Sequence, residues 1–397
     1  MIPVDDALAR IFESLPKVEA EYVSIHDACG RVLSRRLVAN RDQPPFDASA
    51  MDGYAVRKSD AKPRAELKII GEVSAGEVFN QRVRSGQAVR IFTGAPLPDG
   101  CDHVVIQEDA DRNGSRLRLR SEIESDSFVR PAGGDFSIGS AVEAPKRLTP
   151  VDTALLASMN YAKIPVYRRP VVALLSTGNE LAMPGENDPS KIIASNSFAL
   201  KGIFEEAGAE IRILPIARDN ELSLSTAIGL AEDADVIVTI GGASVGKYDL
   251  VRKIAESLGI KLLFHGVAMR PGKPLLAGVL GNAMFLAYPG NPVSSIVCAH
   301  VFGVPLIAAM LGLGSKRRAR KLGRLVNPLG SNGPREHYMR ALVENETAYP
   351  FLRVFQRQDS SLLSVMASAN ALAIRPSYDA ALKTSADIEF IDLRRHP

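Results

Sequence analysis

Cysteine is scarce in this chain and carries no pattern. Cys29, Cys101 and Cys298 are the only three, an odd number with no CxxC spacing, so neither a disulfide framework nor a cysteine zinc site is indicated and a reducing compartment fits. An excess of one charge is lacking too. The 48 Lys and Arg against 45 Asp and Glu leave a formal +3, too little for the basic stripe that nucleic-acid binding requires. A single dense basic run, KRRARK at residues 316–321, reads as a solvated linker. No run reaches the roughly 18 apolar residues of a membrane span, and the opening MIPVDDALARIFESL has acids where a secretory signal has bases. A cytoplasmic protein without nucleic-acid or membrane partners is therefore expected. No internal repeat and no low-complexity tract is present.

Hydrophobic residues at 46% and charged residues at 23% match soluble globular proteins, and 397 residues exceed what one core serves. Apolar spacing i, i+3, i+4, i+7 predicts a helix over 4–15. From 41 to 136, short β-rich runs (LKII, VRIF, HVVIQED, RLRLR) between Gly, Pro, Asn and Asp predict a small antiparallel domain without a long helix. A second helix is expected over 149–160, with Thr149 as N-cap and Pro150 at its first position. Packed beside the first helix, it would make the β-rich segment an insertion that splits a discontinuous first domain. Beyond Pro170 the apolar strands VVALLS, IRILPIA, DVIVTIG, KLLFHGV, LLAGVL and AMFLAYP alternate with helices over 196–207, 221–233, 248–258 and from Pro292 onward. That alternation predicts a doubly wound, mostly parallel α/β domain. Asn291 should cap its last helix, and Pro305 should kink or end it. Short alternating segments after residue 322 predict a small C-terminal β domain.

Open parallel sheets bind ligands beyond the carboxyl ends of their strands, so those loops hold the candidate chemistry. One carries Thr177, Gly178 and Glu180; the next Arg218 and Asp219; the third Gly241, Gly242, Ser244, Gly246 and Asp249; the fourth Arg270 and Lys273; the fifth Pro289, Gly290, Asn291, Pro292, Ser294 and Ser295. GGASVG has the glycines and hydroxyl of an anion cradle, or of a glycine-rich turn; its spacing is neither the Walker pattern nor GxGxxG. PGNPVSS and RPGKP read either as further anion loops or as a capped turn and a solvated base. Carboxylates beside phosphates suggest magnesium, with Glu180 and Asp249 as ligands; Asp219 fits a ligand or a helix cap equally. No His stands in these loops, so Ser244 suits phosphate binding better than attack. Residues 44–56, 92–98 and 130–135 form a second polar, turn-rich cluster, readable as a functional site or as hairpin turns.

Seven segments together resemble the molybdopterin molybdenumtransferase family, whose eukaryotic relative is the C-terminal domain of gephyrin: FDASAMDGYAV, GEVSAGE, IFTGAPLPDGCDHVV, STGNEL, GGASVGKYD, MRPGKP and PGNPVSS. The resemblance implies four parts: a discontinuous elongated domain (1–40 and 137–168), an inserted β domain (41–136), an α/β molybdopterin-binding domain (169–317) and a C-terminal β-barrel-like domain (318–397). It implies insertion of molybdate into adenylylated molybdopterin with release of AMP, magnesium as cofactor, and a homodimer whose site is shared between subunits. The preceding adenylyltransferase is an implied possible partner. Carried over by position, Asp52, Thr93, Arg130 and Asp135 complete the site in trans. Glu180, Asp219, Asp249 and Arg270 line it in cis, with Arg340 and Ser360 on the oxyanion side. Gly266 and Arg270 stand where relatives often have lysines. The rival readings are the adenylyltransferase itself and a gephyrin-like peptide scaffold.

Overall fold

The computed structural model describes residues 1–242, 250–345 and 347–394. Strands Val171–Ser176, Val236–Ile240 and Ala283–Tyr288 are apolar along almost their whole length, so they require cover on both faces. They lie centrally in a six-stranded sheet ordered Glu210–Ile213, Val171–Ser176, Val236–Ile240, Ala283–Tyr288, Leu276–Leu280, Lys261–His265. The first four strands run parallel; Leu276–Leu280 runs antiparallel to them and turns tightly at Gly281 into Ala283–Tyr288, and Lys261–His265, antiparallel to Leu276–Leu280, runs with the first four. One face packs against helices Asn196–Ala207 and Pro292–Cys298, the other against Glu221–Gly229 and Leu250–Ser257. Gly208, left-handed at φ 108, ends the first of these helices as expected.

Several expectations change. The helix from Pro292 does not end at Pro305: a π segment, Ala299–Gly303, precedes a further α segment, Val304–Met310. The π turn sits where proline removes a backbone donor. Pro292–Met310 is also a 19-residue helix apolar enough by composition to cross a membrane, contrary to the sequence reading; 89% of its apolar window is buried, as in a core helix.

Helix Val4–Glu13 does not lie beside Pro150–Ser158. Its apolar face (Val4, Ala7, Leu8, Ile11) joins the core under the α/β sheet, whereas Leu156 packs with Leu33, Ile164 and Val166. Strands join the two flanks of the insertion instead: Ala20–Ser24 pairs with Lys163–Tyr167, which pairs with Val32–Leu33, which pairs with Lys146–Arg147. Thr149 caps Pro150–Ser158 through a full capping box with Asp152.

Residues 53–119 form a second six-stranded sheet over two cores drawn from residues 54–129. One of its pairings, Glu66–Val73 with Gln87–Ile91, is parallel, so the expected antiparallel domain is mixed. At the C-terminus, Lys321–Leu325, Glu336–Val343, Phe351–Val354, Ala371–Arg375 and Asp387–Asp392 close into a five-stranded barrel, because Glu336–Val343 pairs with both Phe351–Val354 and Ala371–Arg375.

The basic run before this barrel is not a solvated linker. Arg317 pairs with Asp5 and Glu336, Arg320 with Glu336 and Glu389, and Lys321 with Asp392 at 2.9 Å. Arg318 is buried against His300 and the Asp392 carbonyl. These cations join the first helix, the π segment and the barrel.

Candidate functional site

Three adjacent strands deliver the first cluster. Thr177 N–H donates to Ile240 O at 2.9 Å, Gly241 N–H to Tyr288 O at 3.0 Å, and Gly178 N–H to Ala217 O at 3.1 Å, so the expected loops meet at one sheet rim. Gly241 has φ +98, and a Cβ there would lie 2.6 Å from Thr177 O; one on Gly242 would lie 2.5 Å from Val251 Cγ2. Only glycine fits this close approach. Thr177, Glu180, Gly241, Gly290 and Pro292 line a small cavity of about 90 Å³. Pro289 is buried behind it. Glu180 is exposed, its carboxylate folded over Gly178. Asn196 Nδ2 donates to Gly290 O at 2.7 Å and holds the fifth loop in place.

Asp219 is not the helix cap: Asn220 accepts from Ser223 N–H at 2.8 Å. Asp219 instead accepts from Asn179 N–H at 3.1 Å and returns its own N–H to Asn179 Oδ1 at 3.2 Å. This reciprocal brace fixes the Glu180 loop, and Lys191 and Arg218 both donate to the Asn179 carbonyl. Asn179, Lys191 and Asn196 were absent from the sequence-based set; their polar type inside ligand-bearing loops was the available signal.

Asn291 occupies the cap position of its helix, yet its side chain makes no cap bond and donates to Ser360 Oγ at 2.9 Å. Ser360 O accepts from Val293 N–H at 3.1 Å, so a loop of the C-terminal barrel covers part of this helix start. Ser294 is buried, and Ser295 Oγ bonds the Pro292 carbonyl at 3.0 Å.

Arg340 departs furthest from expectation. It is 1% exposed, with its donors on Gln358 Oε1, Asp359 O at 2.7 Å and Arg357 O at 3.2 Å. It shapes the loop presenting Ser360 and offers no free face to an oxyanion. Arg270, by contrast, is exposed and leads into the cis bond to Pro271, while Lys273 is half-buried. Gly266, at φ +83 with the first residues against it, accounts for the missing lysine: a side chain there would be strained. Next to Arg270 in register stands His337. Burial first, then the charges of Arg270, Arg335, Arg340 and Arg375, push its imidazole down to about 4. The ring is neutral at neutral pH.

In the inserted sheet, Asp52 Oδ1 accepts from both N–H and Oγ1 of Thr93 at 2.8 Å. The Thr93 backbone bond, then its hydroxyl, hold the Asp52 carboxyl below its ordinary range against the opposing desolvation, with the charge of Arg90 adding the least. Arg90 stacks between Tyr54 and Phe92 and donates to Gly53 O at 3.2 Å. Arg130 and Asp135 are exposed and tied to the segment before Asp52, Arg130 in register with Ala48 and Asp135 N–H donating to Gln43 O at 2.9 Å.

Ser244, Gly246 and Asp249 lie outside the described residues. Among the described residues, no group of three His, Cys, Asp or Glu side chains could hold a metal.

Family models match in three consecutive blocks: the MoeA N-terminal region (domain I and II) over residues 2–160, the probable molybdopterin binding domain over 173–309, and the MoeA C-terminal region (domain IV) over 323–393. A molybdopterin molybdenumtransferase of Nostoc sp. is 34% identical over 411 aligned positions, covering 99% of this chain and 94% of the relative. Its counterpart in Haemophilus influenzae is 37% identical over 317, covering 79% and 78%. The crystal structure of the molybdopterin biosynthesis moea protein from Pyrococcus horikosii superimposes with a TM-score of 0.86 at 30% identity, over 99% of both chains.

Proposed function

Since the chain belongs to the molybdopterin molybdenumtransferase family and inserts molybdenum into molybdopterin, we propose that its substrates are molybdate and adenylylated molybdopterin and that AMP is released. Water cleaves the phosphoanhydride joining pterin phosphate to adenylate, which releases AMP and leaves the pterin phosphate, and the two dithiolene sulfurs bind molybdenum in place of oxo ligands that leave as water. The observation that carries this reading is the convergence of Thr177, Gly178, Glu180, Gly241, Gly242 and Gly290 on one rim.

Close glycine backbone leaves room for a phosphate to approach, and Arg270 and Lys273 would offset the repulsion between a dianion and a phosphorylated ligand. Glu180 fits a hard divalent cation: its carboxylate is exposed and, among the described residues, takes no hydrogen bond. Asp249 is the second proposed ligand. Bound there with substrate oxygens, magnesium would supply Lewis-acid polarisation of the anhydride. Asp52, Thr93, Arg130 and Asp135 act, in this reading, on the site of a second copy. The six-stranded sheet beside Asp52 and Thr93 has its own cores drawn from residues 54–129, which supports its being offered to another chain.

Four parts with the boundaries expected from the sequence, a cytoplasmic location and contact with the preceding adenylyltransferase complete the proposal. The test is anaerobic incubation with adenylylated molybdopterin, molybdate and magnesium. Molybdate-dependent AMP release is expected; bound substrate that yields no AMP overturns the reading.

A further inference from the structure

A cleft of about 280 Å³, away from the rim, has Arg31, Arg147, Arg169, Glu205, Glu206 and Gly208 on its walls. Two parts of the molecule build it. The three arginines lie in or beside the strands Val32–Leu33, Lys146–Arg147 and Lys163–Tyr167 of the four-stranded sheet, whereas the acids and the glycine end helix Asn196–Ala207. Asn196, at the opposite end of that helix, holds the Gly290 loop of the rim. Its 12 residues at about 1.5 Å each put the cleft roughly 17 Å from that contact, outside the site described above.

The acids on and beside this cleft already have cations. Glu21 takes Arg31, Glu205 takes Lys201, and Glu206 acts on Arg318. Arg147 and Arg169 remain. The Arg147 Nη1 and Nη2 donate to neutral carbonyls, Gly30 O at 3.2 Å and Ala207 O at 2.7 Å, and its Nε is buried without a partner. The Arg169 side chain is exposed and, among the described residues, has no hydrogen-bond or ion-pair partner. The two guanidiniums feel each other: burial first, then the charge of Arg169, push Arg147 below its ordinary value, and no carboxylate of the described residues opposes them. Two like charges on one part-buried cleft repel, and a double negative charge between them relieves the repulsion. Each Nη of Arg147 keeps one N–H beyond its carbonyl bond, and Arg169 has five donors to give. Tetrahedral oxyanions match such guanidinium forks in both charge and geometry.

We propose that this cleft binds one small tetrahedral dianion between Arg147 and Arg169, which ties the four-stranded sheet to the end of helix Asn196–Ala207. Inorganic phosphate, sulfate and molybdate share that chemistry. The site stands whether or not the substrates proposed above are the right ones.

Each of the three ions is titrated by calorimetry into the full-length protein at constant ionic strength, alkaline enough for phosphate to be doubly charged, with nitrate as the monovalent control. At least one dianion should bind more tightly than nitrate. Arg169→Ala should weaken it by about tenfold, the scale of one charge-assisted hydrogen bond; Arg169→Lys should keep part of the affinity and Arg169→Glu should abolish it. Because Arg169 bonds nothing in the fold, these variants should melt as the unsubstituted protein does. Arg270→Ala, at the other place an oxyanion could go, should leave this binding unchanged. The dianion that Arg169→Ala weakens most identifies the occupant. No dianion binding by the unsubstituted protein, binding no tighter than that of nitrate, unchanged affinity in Arg169→Glu, or a loss that follows Arg270→Ala instead overturns the site.

Discussion

The cations left open at Arg218 and Arg270 and those locked around the C-terminal barrel are of the same kind and differ in what their donors meet. Arg317, Arg318, Arg320, Lys321 and Arg340 are consumed by internal partners: carboxylates, carbonyls and one imidazole. Arg270 is exposed, and Arg218 spends one long bond on a loop carbonyl. Positive charge near a site is therefore a poor guide to substrate contact. What decides the role is whether the donors already have acceptors, because a satisfied buried guanidinium cannot turn to a ligand without leaving carbonyls unpaired.

Substitutions separate the two groups. Arg270→Ala should cut kcat/KM by about a hundredfold, the usual cost of one preorganised electrostatic contact, while shifting stability by no more than about 0.5 kcal/mol. Steady-state AMP release with a thermal melt measures both. Arg340→Ala should do the reverse in kind, destabilising the fold by about 3 kcal/mol because Asp359 O, Arg357 O and Gln358 lose their donors. A melt that moved with Arg270 and not with Arg340 would erase the distinction.

Lys321 offers a smaller contrast that pH can read. Desolvation raises the Asp392 carboxyl, but hydrogen bonds from Arg394 and Lys321 outweigh it and bring it down to about 2 from 3.8. Its folded value is depressed, so the stabilisation, about 2 kcal/mol by linkage, is complete above the unfolded value near 3.8 and fades as pH falls toward 2. Lys321→Met should remove about 1 kcal/mol of it at neutral pH and shrink the loss of stability between those pH values. Denaturation midpoints at several pH values check this; an unaltered acid step would show that Lys321 does not hold Asp392 down.

Sequence patterning made the sheet legible because its central strands are apolar on both faces and its helices carry local stops such as Gly208. Thr149 was legible for the same local reason. What escaped depends on distant partners. Asn291 has the residue type of a cap, yet Ser360, 69 positions away, takes its amide. Arg340 looks like an oxyanion ligand until Gln358 and the Asp359 carbonyl are placed around it. The basic run looks solvated until Asp5, Glu336 and Glu389 are folded against it. Pro305 follows a π segment that apolar periodicity does not signal. The glycine rim was readable as a pattern, whereas its closeness, 2.6 Å from a Gly241 Cβ to Thr177 O, was not.

The subtlest expected effect sits in the inserted sheet, where the site acid is held by donors from its own domain. Asp52 is depressed chiefly by the Thr93 amide and then by the Thr93 hydroxyl. Thr93→Val removes the hydroxyl and keeps the amide, so the carboxyl should move part of the way back up toward 3.8. If ionised Asp52 serves turnover, activity in the unsubstituted protein persists below the ordinary carboxylate range, and the acid limb of kcat/KM shifts to higher pH in the valine variant. Because Asp52 is only half-buried, solvent screens its charge and the melt should barely move, so the pH profile is the informative measurement. A displaced limb with an unchanged melt would put Asp52 among the groups that meet substrate. A limb that stays in place would leave it as a brace for the turn it shares with Thr93, and the inserted sheet would then resemble the barrel cations more than the rim.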